Sequence, residues 1–251
     1  YGPEGLNFME SGTSAKEALN ILVQKDEGKD YRQAAMLDVN GSVDAFTGLK
    51  CIESAGHYVG KNFSVQANMM LNDKVIPSMK KAFLENSKLP LAERIIKVFE
   101  AAESVGGDIR GKQSAALIVV GSEKTDDIWK DKKIDLRVDD SKNPVKEIKR
   151  LLKVHRAYEH MNNGDLAIEE NNMEVALKEY SKAQNLFPEN VEMSFWKAVT
   201  MINNNKIEDA KLILKKVFQK NNNWRTLIFR LIDSELISLE KAELEKLLND
   251  I

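Results

Sequence analysis

Residues 106–120 read GGDIRGKQSAALIVV, a polar glycine-rich run that leads directly into an apolar run. Glycine allows backbone conformations that are closed to other residues, and the apolar run is too short for a typical helix. The stretch therefore predicts a bendable polar loop followed by a buried strand over residues 114–120. Polar loops held by a rigid scaffold often carry function, so this loop is a candidate functional edge.

Helices and paired strands are predicted around this loop. A helix over 91–105 begins after Pro90 and ends at Gly106, as helices commonly do, and a strand over 133–138 pairs with the strand that follows the loop. The other elements expected upstream are helices over 14–24 (capped by Ser11 or Thr13) and 73–85, an alternating strand over 63–69, and a hairpin over 31–39 and 42–47 with a type I′ turn at Asn40-Gly41. Antiparallel strand pairs with helices in blocks indicate an α+β layered domain over residues 1–143.

Residues 144–251 predict only helices, and part of their pattern repeats. The positions that recur 34 residues apart are Ala176 and Ala210, Tyr180 and Leu214, and Ala183 and Val217. This period is typical of tetratricopeptide units. The helices expected are 145–161, 158–169, 174–186, 191–203 and 207–219, with one or two closing helices over 224–251. Such an array either braces the first domain or binds a peptide or protein partner.

Composition narrows the function. The chain has 251 residues and a formal net charge of −2, which argues against the broad positive field of a nucleic-acid binder. No apolar run approaches the roughly 20 residues that span a membrane. Cys51 is the single cysteine, which excludes an internal disulfide and a cysteine-rich zinc site. No metal or cofactor is expected. The sequence does not decide the compartment, which could be exported or periplasmic, or whether the protein forms a homo-oligomer.

Two polar groups are candidate site residues. Ser64, Gln66 and Asn68 share one face of the strand over 63–69, where hydroxyl and amide groups can hold a substrate amide or an oxyanion; the alternative is an ordinary solvent-facing surface. His57 is predicted in a turn whose neighbouring glycines allow a ligand to come close, or as an exposed turn histidine.

The glycine-rich loop offers a third group. Asp108 and Arg110 either pair and hold the shape of the loop, or Arg110 anchors a substrate carboxylate through its planar guanidinium. Lys112 is expected to be solvated. Gln113 and Ser114 are expected to begin the strand, with their side chains on opposite faces.

Several motifs in a fixed order carry a resemblance to a known family. They are YGPEGL (1–6), YRQ (31–33), AFTG (45–48), AGH (55–57), QANM (66–69), GGDIRGKQSAA (106–116), IDLRVDD (134–140) and the helix from Pro144 to His155-Arg156. Together, residues 1–156 resemble the bacterial Ntn-hydrolase-like family called domain of unknown function 1028. The remainder resembles the tetratricopeptide extension of some of its members.

The resemblance implies a four-layer αββα sandwich, incomplete at the N-terminus, followed by an all-α tetratricopeptide-like domain over residues 144–251. In N-terminal-nucleophile hydrolases a terminal Thr, Ser or Cys attacks an amide, and its own α-amino group acts as the base. Tyr1 begins a turn-like string, YGPEG, and cannot be such a nucleophile. The nucleophile is therefore expected upstream of Tyr1, and a chain lacking the first strands is expected to expose a sheet edge and to associate.

Two functions follow as hypotheses. The first is an amide hydrolase acting on a peptide-like or acyl amide, with Gln66 and Asn68 lining the cleft or polarising the carbonyl. Asp108, Arg110 and Gln113 would then shape or anchor its rim, with His57 as a further candidate. The second is a non-catalytic module that binds a partner or cell-wall material through the sandwich cleft or the helical array.

Overall fold

A computed structural model describes residues 1–123, 125–249 and 251. The chain divides into two compact units, Tyr1–Lys149 and Arg150–Ile251. The boundary predicted from the sequence lies between residues 143 and 144, immediately before a helix that spans Pro144–Glu169. The division after Lys149 therefore falls inside this helix, one and a half turns beyond the predicted position.

The first unit combines short helices with three antiparallel hairpins. Its elements are α1 (Gly2–Glu10), α2 (Ala15–Lys25), a 3₁₀ turn (Lys29–Tyr31), β1 (Gln33–Leu37), β2 (Val43–Thr47), β3 (Gly56–Gly60), β4 (Phe63–Ala67), α3 (Val75–Glu85), α4 (Leu91–Ser104), β5 (Ala115–Val120), α5 (Ile128–Asp131), β6 (Lys132–Val138) and the start of α6 (Pro144–Glu169). The sequence patterns did not predict α1, β3 or α5. The other elements lie within a few residues of their predicted bounds.

Each hairpin is a separate two-stranded sheet. Gln33 of β1 lies opposite Thr47 of β2, and His57 of β3 lies opposite Gln66 of β4. The first two hairpins lie side by side, because β2 contacts β3 as well as its own partner. The unit is thus a mixed α/β fold, and the four-layer αββα arrangement stays a prediction.

The N-terminal segment is helical, so the turn predicted over Tyr1–Gly5 is wrong. Pro3 lies in the first turn of α1, where the missing N–H would have had no helical partner in any case. Gly5 is buried against Met36 of β1, and a Cβ on Gly5 would lie closer than 3.0 Å to the Met36 side chain. Close approach to the first hairpin therefore explains a glycine inside this helix.

A capping box begins α2. The Ser14 hydroxyl accepts a hydrogen bond from the Glu17 N–H, and the Glu17 carboxylate accepts one from the Ser14 N–H, so the cap is neither Ser11 nor Thr13. The buried face of α2 packs on Met36, and its members are Ala15, Ala18, Leu19 and Leu22. This cluster forms the core beside the first hairpin.

The first hairpin does not use the predicted two-residue turn. Leu37 pairs with Val43, which leaves a five-residue loop between them, and within that loop Gly41 alone takes a positive φ, of 83°. The Asp38 carboxylate organises the loop by accepting hydrogen bonds from the N–H groups of Asn40 and Ser42. A side chain that satisfies loop amides in this way replaces the type I′ turn, which requires a positive φ at both central residues.

The strand after the glycine-rich loop is buried on one face only. Leu117 of β5 is buried, whereas Ile118 and Val120 are 46% and 61% exposed. The expectation of a fully buried strand is therefore wrong, since β5 alternates like a strand covered on one side.

The second unit is entirely helical over its described residues. Its elements are the remainder of α6, α7 (Met173–Leu186), α8 (Val191–Asn203), α9 (Ile207–Lys220), α10 (Asn223–Asp233) and α11 (Lys241–Asn249). The two helices predicted over 145–161 and 158–169 are one continuous helix, α6. Of the helices in the described residues, none combines the length and the apolar character needed to cross a membrane.

Residues 34 positions apart occupy matching places in this unit. Helices α7 and α9 both have 14 residues, and the six recurring positions named above are all at most 1% exposed. Their equal burial explains why the sequence repeats small and large apolar residues there. The tetratricopeptide assignment itself stays a prediction.

Candidate functional site

The glycine-rich loop connects α4 to β5 and is anchored on the segment that follows β4. Gly106, Gly107 and Gly111 take φ values of 121°, 60° and 106°, which side chains rarely tolerate. The Leu71 N–H donates to the Gly107 carbonyl at 2.8 Å, and the Ile109 N–H donates to the Met69 carbonyl at 3.1 Å. These two bonds set the backbone of Asp108 opposite Met70.

A cavity of ≈ 840 Å³, here called the glycine-loop cleft, lies along this loop. Asp108, Arg110 and Gln113 line it, so the structure brings together the three predicted residues of the loop. Apolar residues from other elements complete the lining and include Met70, Phe99 and Ala116. The cleft is large enough for a small organic ligand or a short peptide.

Asp108 and Arg110 form a two-point ion pair at the rim. The Arg110 Nη2 and Nε donate to the two carboxylate oxygens of Asp108 at 2.6 and 3.0 Å, and the Arg110 backbone N–H donates to Oδ1 at 2.8 Å. The hydrogen bonds from the guanidinium hold the pKa of Asp108 below its ordinary value, so this carboxylate is ionised at neutral pH. The remaining guanidinium N–H groups donate to no described residue, and Arg110 is 69% exposed.

Lys112 is paired as well as partly solvated. Its Nζ lies 3.0 Å from the Glu103 carboxylate of α4, a contact that fixes the loop to the helix that precedes it. The expectation of a merely solvated lysine is therefore incomplete. Because Glu103 and Lys112 both line the cleft, its rim carries two adjacent ion pairs.

Gln113 and Ser114 precede the strand, which begins at Ala115, so the expectation that they begin it on opposite faces is wrong. Both are exposed and both line the cleft. The Gln113 carbonyl accepts a hydrogen bond from the Ser141 N–H at 2.8 Å, which holds the end of the loop beside the segment after β6.

His57 lies on β3 rather than in the predicted turn. Its Nδ1 is 2.8 Å from the Thr47 hydroxyl oxygen, and Gln33 Nε2 donates to that same oxygen at 3.0 Å. Thr47 and His57 are therefore within hydrogen-bond distance, and the direction of the bond depends on the tautomer of the ring. His57 lines a separate cavity of ≈ 280 Å³, which shares Met70 with the glycine-loop cleft.

Gln66 lies on β4 and Asn68 follows the strand toward Met70, and neither lines either of these two cavities. Gln66 is exposed opposite His57. The Asn68 Oδ1 is buried with no hydrogen-bond partner in the part of the chain that is described, which is unusual for a buried polar atom. An oxygen cannot polarise a carbonyl, so that predicted role for Asn68 requires its Nδ2 donor.

Three residues in or beside these cavities were not predicted from the sequence. Thr47 and Glu103 meet His57 and Lys112 through contacts between different elements, for which the sequence carries no local signal. Met70 joins the two cavities and follows Met69, whose φ of 64° is rare for a non-glycine residue. Among the described residues, no group of three or more His, Cys, Asp or Glu side chains is placed to hold a metal ion.

Comparison with known proteins agrees with the motifs in the first unit. The model of a family of unknown function, DUF1028, matches residues 1–148. The crystal structure of protein SPO2555 from Silicibacter pomeroyi, also assigned to DUF1028, is 27% identical to this chain with a TM-score of 0.52. The match covers 61% of this chain and 64% of that one, so the chain spans less than two thirds of its relative. No curated protein matches the chain.

Proposed function

Since the chain belongs to the family of unknown function DUF1028, we propose that its first unit is an amide hydrolase of the N-terminal-nucleophile type. The substrate is a peptide-like or acyl amide bound in the glycine-loop cleft. The observation that carries this proposal is the cleft itself, whose rim presents Arg110, with its free N–H donors, beside an apolar wall. Pockets that pair a mostly apolar lining with a few fixed polar groups are the usual sites for small ligands.

Each rim residue has a proposed part in binding. Arg110 donates to a carbonyl or carboxylate oxygen of the substrate, and Asp108 holds the guanidinium in place through its two oxygens. Gln113 offers an amide that both donates and accepts, which suits a peptide group. Asp108 makes three hydrogen bonds to Arg110, so its part is to position Arg110 rather than to transfer a proton.

Gln66 and Asn68 are proposed to flank the reacting amide. Gln66 lies on β4 and Asn68 directly follows it, in the segment that leads to Met69 and Met70, to which the glycine-rich loop is bonded. His57 is proposed to hold this flank through its bond to Thr47. We assign the nucleophile to no residue between Tyr1 and Ile251, and the sandwich arrangement stays a prediction.

A matched pair of cavity variants tests the proposal. Ala116 lines the cleft, whereas Ile118, two residues further along the same exposed face of β5, does not. We expect the full-length protein to hydrolyse at least one member of a panel of acyl and peptide amides. Ala116→Trp should reduce that rate at least tenfold by filling the cleft, and Ile118→Trp should leave it within twofold. No hydrolysis, or equal rates for the two variants, would overturn the proposal.

The second unit supports a second candidate function, protein contact. The buried positions that recur 34 residues apart suit a tetratricopeptide-like array, and such arrays use their exposed concave faces to bind peptides. A protein inactive on every amide of the panel, yet able to bind a peptide partner through residues 150–251, would favour this binding role over catalysis.

A further inference from the structure

A second cavity adjoins the glycine-loop cleft and differs from it in character. It has a volume of ≈ 360 Å³ and shares Glu103, Lys112 and Val145 with the cleft. The rest of its lining is Glu100, Ser104, Lys146 and Lys149. A ligand lying in the cleft can therefore extend into this smaller cavity without leaving the surface of the protein.

Lysines outnumber carboxylates around the smaller cavity. Lys149 lies 2.5 Å from Glu100, which also binds Lys97 at 2.9 Å. Lys112 binds Glu103 at 3.0 Å. Lys146 is exposed and forms no ion pair with any described residue. Three lysines, Lys112, Lys146 and Lys149, thus line the cavity together with two glutamates, and the local charge is positive in a chain whose net charge is −2.

Glu100 is ionised at neutral pH despite its partial burial. Burial raises the pKa of Glu100, but the hydrogen bonds from Lys149 and Lys97 outweigh burial and bring that pKa below its ordinary value. The surplus positive charge therefore rests on Lys146, because Lys112 and Lys149 each pair with a glutamate of the cavity. A partly enclosed site lined by one sign of charge attracts ligands of the opposite sign.

We propose that the smaller cavity binds a carboxylate of the ligand whose body lies in the glycine-loop cleft. The ligand is accordingly an acidic, peptide-like amide, with its carboxylate on Lys146 and Lys112. This inference rests on the proposed function for the position of the ligand body, and it adds the chemical class of the substrate. Lysine suits the task because its ammonium is a mobile point charge with three donors.

Two peptides that are blocked at both ends test the inference, and the test measures their binding rather than their hydrolysis. N-acetyl-Gly-Gly-Glu-amide and N-acetyl-Gly-Gly-Gln-amide differ in one side-chain carboxylate, and their affinities can be measured by isothermal titration calorimetry. We expect the glutamyl peptide to bind about threefold to tenfold more tightly in low salt, the effect of one or two surface ion pairs. Its advantage should shrink as salt screens the charges.

Lysine variants supply the control. Lys146→Glu should reduce the affinity for the glutamyl peptide to that of the glutaminyl peptide, and Lys112→Ala should weaken it about threefold. Lys132→Ala is the matched control, because Lys132 is 52% exposed and paired with Asp135 at 3.0 Å, as Lys112 is 46% exposed and paired with Glu103 at 3.0 Å. Lys132→Ala should leave both affinities unchanged.

Equal affinity for the two peptides, or a glutamyl preference that survives Lys146→Glu, would overturn the inference. Failure of the proposed function looks different: the glutamyl peptide would bind with the expected preference, and no amide would be hydrolysed. Hydrolysis without any preference for the acidic peptide would retain the proposed function and refute this inference alone.

Discussion

Replacing Gly48 by alanine should destabilise the first unit more than any ordinary glycine-to-alanine change. A Cβ at this position would lie closer than 3.0 Å to the backbone carbonyls of Lys29 and Asp30, and a carbonyl cannot rotate away as a side-chain end can. Overpacking of this kind typically costs about 1–3 kcal/mol. The required shift also strains two hydrogen bonds, Gly48 N–H to Arg32 and Lys50 N–H to Asp30, each worth about 1 kcal/mol. If both bonds are lost, the expected loss is about 3–5 kcal/mol.

Urea unfolding followed by circular dichroism measures this loss. With a slope of about 2 kcal/mol per molar urea, the midpoint of the first unit should fall by about 1.5–2.5 M. Gly2→Ala is the control, because a Cβ there has no atom within 4 Å and alanine favours the helix. Hydrogen exchange in β1 and β2 should accelerate in Gly48→Ala alone. If the two variants unfold at the same urea concentration, the argument from backbone contact is refuted.

Three further predictions concern single side chains. Gln33→Leu should cost about 2–3 kcal/mol in urea unfolding, because the two N–H groups of Gln33 Nε2 are shared among the Thr47 hydroxyl and the carbonyls of Gly56 and Ala67. No loss would refute its part in joining the hairpins. Tyr180→Phe should cost about 1–2 kcal/mol, since the buried hydroxyl donates to Asp165 at 2.6 Å. Burial, together with that bond, raises the pKa of Tyr180. The difference in unfolding free energy between the wild type and Tyr180→Phe should therefore be complete below pH 10 and should shrink above it. A difference that stays constant above pH 10 would contradict this assignment. Hydrogen bonds to the Asp38 carboxylate, above all the one from the Ala15 N–H, lower the pKa of Asp38. The wild type should therefore have a higher free energy of unfolding than Asp38→Asn above about pH 4, and this difference should vanish as the pH falls further. A difference that does not depend on pH would contradict this prediction.

Elements with a clear period were predictable from the sequence. The helix expected over 91–105 is α4, Leu91–Ser104, because Pro90 and Gly106 mark its ends and its apolar positions keep one face. In the second unit, the six positions that recur at a spacing of 34 residues, Ala176 and Ala210 among them, are all buried. Such signals are local or strictly periodic, so a single sequence carries them.

Elements that depend on distant contacts were not predictable. The glycines at both ends of β3 mimic a turn, and the strand forms because it pairs with β4 and contacts β2. A glycine and a proline at the start of α1 likewise mimic a turn, although Gly5 is there to admit Met36.

The same distinction between local and distant contacts applies to the candidate site. The three loop residues Asp108, Arg110 and Gln113 lie together because they are close in sequence. The bond between Thr47 and His57 joins two hairpins, and only the fold brings those residues into contact.

The central claim is that Arg110 anchors an amide substrate in the glycine-loop cleft, and one comparison of variants tests it directly. Arg110→Ala removes the anchor, and Arg137→Ala removes an arginine that pairs with Asp135 two residues away, as Arg110 pairs with Asp108, but on β6. With the best amide of the panel, Arg110→Ala should lower kcat/KM about tenfold to hundredfold, the loss of a charged hydrogen bond. Arg137→Ala should leave kcat/KM within twofold. Equal values of kcat/KM for the two variants would contradict the account.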